Sequence, residues 1–76
     1  MKKIKFIWDF RGPGALQTAR HHEIHLEEFC RMEALDDFET GHQEINEAQA
    51  TAYLTTSAAH LKLIRDRLRP HRAVQA

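Results

Sequence analysis

Ile4, Phe6, Trp8 and Phe10 alternate with Lys3, Lys5, Ile7 and Asp9 near the start of the chain. A period of two with bulky side chains on one side is the pattern of a half-buried β-strand. The chain must therefore supply a layer that covers one face of a sheet. Gly12-Pro13-Gly14 follows and ends the strand. Proline is favoured in a first helical turn, where its missing N–H would have had no partner. From there the period becomes helical, with Ala15, Ala19, His22, Leu26, Phe29 and Cys30 on one side and Gln17, Glu28 and Arg31 roughly opposite. A helix from Pro13 to Ala34 is predicted, its apolar side against the sheet.

The segment from Leu35 to Glu47 is acidic and interrupted by Gly41, which predicts a turn and then a short edge strand around His42 to Ile45. In the next stretch Ala48, Ala50, Ala52 and Leu54 alternate with Gln49, Thr51, Tyr53 and Thr55, as in a strand whose small side lies beneath helices. A rival reading takes Asn46 and Gln49 as a capping box and runs one long helix over residues 47–69. Strand and helix both stay open for residues 47–56. Ser57 can cap a second helix with the stripe Leu61, Ile64 and Leu68. That helix should stop at Arg69, because the residue before Pro70 disfavours helical geometry. The tail, residues 71–76, is expected to fray. The element order is strand, helix, strand, strand, helix: an α+β, ferredoxin-like βαββα subunit with its helices on one sheet face, in a single domain with an ordered core of about residues 3–69.

A chain of 76 residues buries a modest fraction of its surface, so its stability alone should be marginal. Cys30 is the only cysteine, which excludes an internal disulfide and thiolate-rich metal sites. Oligomerisation is the remaining staple, and a homodimer is expected. No apolar run approaches the length of a membrane span, and Met1-Lys2-Lys3 leads into a strand, so a cytoplasmic protein without a membrane partner is expected. Eleven basic and eleven acidic residues cancel, leaving no global field to attract nucleic acid. Arg65, Arg67, Arg69 and Arg72 do cluster late in the chain, but no aromatic platform accompanies them, which argues against RNA.

His21, His22 and His25 crowd one turn of the first predicted helix. Imidazole titrates near neutrality and carries a donor and an acceptor nitrogen, so such a group can bind a metal, move protons or sit on a wet face. His22-Glu23-Ile24-His25 is not the zinc-protease motif, whose second histidine falls one position later, where this chain has Leu26. No metal or other cofactor is assigned, and metal binding through His21, His22 and His25 stays as an alternative. For proton transfer the candidates are His25 and His22, with Asp9 at the end of the first strand as the orienting carboxylate. Arg11, Thr18 and Tyr53 are the candidate ligand-binding residues, beside a small-molecule cleft at the edge of the buried helix face. There is no GxGxxG, phosphate loop or GxSxG elbow, and Cys30 falls on the buried helix side, where a thiol is normally inert.

A strand, then a helix carrying His25-Leu26 with Phe29 one turn on, then a strand pair and a second helix resembles the YCII-related proteins of the dimeric α/β-barrel class, over residues 3–69. The resemblance implies two ferredoxin-like subunits joined sheet to sheet, with a helix-borne histidine, here His25, facing a small cleft and a carboxylate as its partner. Where that family has an arginine three residues before the histidine, this chain has His22, and Arg69-Pro70 stands where the family has Asp-Pro. Two functions remain open: a structural or interaction module whose dimer surface is its function, and an enzyme using His25 with His22 on a small molecule.

Overall fold

In a computed structural model that describes residues 2–76, β1 runs over Lys3–Arg11, α1 over Ala15–Met32, β2 over Phe38–Asn46, β3 over Gln49–Ser57, α2 over Leu61–Leu68 and β4 over Arg72–Gln75. The four strands form one antiparallel sheet in the order β2-β3-β1-β4. The molecule is α+β, and no helix among the described residues is long and apolar enough to cross a membrane.

The alternation in β1 sorts its side chains as the sequence predicts. Phe6 and Trp8 are buried beneath the helices together with Ala50, Ala52 and Leu54 of β3, and Ile4 and Phe10 lie against the same cluster. The small residues Ala50 and Ala52 let α1 come close to the sheet, and Ala15, Ala19, Leu26 and Cys30 fill the space from above. Ile64 of α2 completes the core. With Lys5, Ile7, Asp9, Thr51, Tyr53 and Thr55 on alternate positions, the other sheet face carries no helix.

Both ends of α1 depart from the expected Pro13 and Ala34. The helix starts at Ala15 with Gly14 as its cap. Gly12, at φ +107, turns the chain and donates its N–H to the Ala48 carbonyl, which holds the strand end against the β2–β3 hairpin. At the far end Ala34 takes a left-handed φ of 57, and the Leu35 N–H reaches back to the Cys30 carbonyl at 2.9 Å. That is a Schellman closure in which alanine occupies the position glycine fills best. Leu35 is thereby turned into the core.

Gly41 does not make a turn. It sits inside β2, which is nine residues long instead of a short strand around His42 to Ile45, and the Tyr53 ring lies directly over it. The long-helix alternative for residues 47–69 is not what forms: Gln49–Ser57 is a strand. Asn46 and Gln49 close a β-hairpin, with the Ala48 N–H donating to Asn46 Oδ1 at 2.8 Å and Asn46 Nδ2 donating to Gln49 Oε1 at 3.0 Å. Ser57 does act as a cap. Its hydroxyl accepts from the Ala59 N–H at 3.2 Å, starting a single 3-10 turn that leads into α2.

The tail does not fray. After Arg69 adopts a left-handed φ of 49, Arg72–Gln75 pairs with β1 as a fourth strand, flanked by His71 N–H to Ile7 O at 2.9 Å and Ala76 N–H to Lys3 O at 3.1 Å. All four β4 residues are exposed, so this strand is held by its ladder, without a buried face. Its position matters for the histidines, because it brings His71 and Arg72 to the end of β1.

Candidate functional site

The helical histidines separate into two environments. His22 is half-buried on the sheet-facing edge of α1, its ring 5.0 Å from Trp8 and 5.5 Å from Phe10 between centroids. Its Nε2 is sealed from solvent and has no hydrogen-bond partner. Burial, and secondarily the neighbouring His25, His71 and His21, hold its pKa below the ordinary 6.5, so the ring is neutral near pH 7. His21 and His25 stand outside, with their Nε2 atoms 3.0 Å apart, and Glu28 Oε1 lies 3.5 Å from His25 Nδ1. Among the described residues no three histidine, cysteine or carboxylate side chains converge on one point that would hold a metal ion.

Asp9 does not reach this ridge. By strand alternation it projects from the helix-free face, where the Arg72 guanidinium grips it with two bonds of 2.8 and 2.9 Å. That pair raises the pKa of Arg72 and leaves Asp9 no free oxygen to orient a histidine of α1. The Asp9 backbone N–H donates to His71 Nδ1 at 2.8 Å, which requires His71 to be neutral with its proton on Nε2. His71 also stacks edgewise on Phe10 at 6.4 Å. The histidine nearest to Asp9 is thus one from the tail, 62 residues away in sequence.

The three expected ligand-binding residues are also dispersed. Thr18 is exposed on α1 and spends its hydroxyl on the Gly14 carbonyl at 3.0 Å. Arg11 is exposed at the end of β1, opposite Gln49. Tyr53 lies on the helix-free face, with Lys5 Nζ 4.4 Å from its ring centroid. A cleft of about 230 Å³ does exist, but it opens between α2 and β4, lined by Leu61, Arg65, Pro70, His71 and Ala73 over Phe6. His22 and His25 do not line it. Cys30 is buried, and burial pushes its thiol up to about 11, so it is unreactive packing.

Two contacts had no signal in the sequence. Glu23 of α1 meets His42 of β2 at 2.6 Å, which ties the helix to the edge strand across 19 residues. Trp8 Nε1 donates to the Leu68 carbonyl at 2.9 Å and so anchors the end of α2 to the central strand. Residue type alone marks these side chains as polar or amphipathic; only the fold chooses their partners.

No family model, curated protein or solved structure matches the chain. Among the described residues the helix side offers an exposed histidine pair and a half-buried neutral imidazole, and brings no acid, base and cleft together. The sheet side offers a broad, helix-free face with apolar and charged residues in defined rows.

Proposed function

We propose that the chain is a structural or interaction module, a ferredoxin-like subunit that joins a second copy through its helix-free sheet face to form a dimeric α/β barrel. The strand order, with both helices on one side, is compatible with such a subunit. What supports the dimer is the composition and register of the bare face. Ile7 lies opposite both Tyr53 and Arg72 in the ladders, and Val74 on β4 is 45% exposed. Ile7 itself is only 9% exposed, so what a second copy would cover is Val74 and the half-buried Tyr53 ring, and a small chain with only one sheet face covered gains by that.

The charges on that face suit a two-fold pairing. Val74, Lys5, Thr55 and Glu39 form one row across the sheet, with cation and carboxylate towards opposite edges. A two-fold axis along the strands sets the β2 edge of one copy over the β4 edge of the other at the same height. Glu39 of each copy then stands over Val74 of its mate, one strand spacing of about 4.8 Å to the side of Lys5, twice by symmetry. Sheets stacked about 10 Å apart bring such side chains into contact.

Light scattering coupled to size exclusion at micromolar concentration tests the proposal, and a dimer is expected. Glu39→Lys should weaken the dimer and Glu39→Lys with Lys5→Glu should restore it. A monomeric protein at that concentration removes the barrel. A dimer indifferent to both charge reversals places the contact elsewhere.

A further inference from the structure

We infer that His21 and His25 form a two-imidazole chelate for a divalent transition-metal ion of the copper or nickel type on the outer side of α1. The two residues lie one helical turn apart, so their side chains project side by side from a regular helix. Their Nε2 atoms are 3.0 Å apart, while the ring centroids are 4.6 Å apart and the planes 84° to one another. The rings thus meet at an angle and not end to end.

That separation is an imidazole N–H···N hydrogen bond that a bound ion would replace, and it falls within the bite of one coordination geometry. With metal–imidazole bonds of about 2.0–2.1 Å, two nitrogens at a right angle about a metal are about 2.8–3.0 Å apart, whereas a tetrahedral centre holds them about 3.3–3.4 Å apart. The observed spacing is that of neighbouring positions in a tetragonal or octahedral site, the preference of copper(II) and nickel(II). Water fills the other positions, since the His25 side chain is 59% exposed. Once Nε2 binds the metal, the His25 proton resides on Nδ1, facing Glu28 Oε1 at 3.5 Å, and a carboxylate there makes the imidazole a better donor.

His22 takes no part, because its ring is turned to Trp8 and Phe10. With two protein ligands the affinity is modest and depends on the chelate, so loss of either imidazole forfeits the intramolecular advantage. The site lies on the helix side and does not depend on the sheet-face dimer.

The test is titration with nickel(II) chloride in a weakly coordinating buffer at about pH 7.5, where imidazole is mostly neutral. Binding is followed by calorimetry and by paramagnetic broadening of the histidine ring signals. One ion per chain is expected, with broadening centred on His21 and His25. His21→Ala and His25→Ala should each weaken binding by about tenfold or more. Both positions are exposed, and circular dichroism of each variant confirms that the helix persists. His60→Ala should leave the binding unchanged. No binding at millimolar nickel, unchanged affinity in His25→Ala, or zinc bound more tightly than nickel would each overturn the inference.

Discussion

Replacing His22 by leucine should stabilise the protein and flatten its loss of stability in mild acid. The ring sits between α1 and the sheet, with Trp8 and Phe10 at 5.0 and 5.5 Å and its Nε2 shielded and unpartnered. A buried polar atom without a partner costs about 1–3 kcal/mol, and because the rest of this ring keeps access to water the lower end applies, about 1 kcal/mol. Leucine removes the orphan nitrogen, suits a helix better and keeps apolar contact with both rings. For a domain of this size about 1 kcal/mol corresponds to a rise in Tm of about 4–8 °C.

The pH arm follows from the lowered pKa of His22. The unfolded chain takes up a proton near 6.5, while the folded chain resists until a lower pH. The stability contributed by the neutral ring is therefore complete above about pH 6.5 and is lost as the pH falls towards the folded value. The difference between wild type and His22→Leu isolates the one ring, because every other group is common to the two proteins. Urea denaturation at about pH 8 and about pH 5.5 measures both effects. A less stable variant at the higher pH, or an unchanged gap between the two pH values, would refute this account.

Ala34→Gly should raise stability by about 1 kcal/mol, because alanine is held at a φ of 57 that glycine adopts without a Cβ penalty; thermal melting of the single variant checks it. Gly41→Ala should cost about 1–3 kcal/mol, since the added Cβ meets the far end of the Tyr53 side chain and drives the ring out from beneath Lys5. The same substitution in a Tyr53→Ala background should cost far less, and equal penalties in the two backgrounds in urea titrations would show that the tyrosine is not the obstacle.

Local pattern was enough for β1, α1 and α2. β1 alternates, α1 carries an apolar stripe, and Ser57 and Pro70 bracket α2, so each declares itself through its own contacts with the core; β3 alternates too, but its alanines left a helix open until pairing with β1 and β2 decided for a strand. β4 buries no residue and has no alternation to display; it exists because β1 presents a free edge and the turn at Arg69 and Pro70 returns the chain to it. Gly41 misleads for a related reason. A glycine in isolation signals a turn, yet here its missing side chain makes room for an aromatic ring from the neighbouring strand.

The candidate site divides along the same line. The helical spacing of His21 and His25 determines that they are neighbours wherever the helix forms, and the side-chain phase determines that His22 faces inward, because both follow from one helix's own geometry. The partner of Asp9 was not determined in that way. Strand parity put Asp9 on the face away from α1, and β4 then delivered Arg72 and His71 to it from the far end of the chain. Short-range periodicity fixes which side of its own element a residue occupies. The meeting of two elements depends on sheet order and register, which arise only when the whole core is buried together.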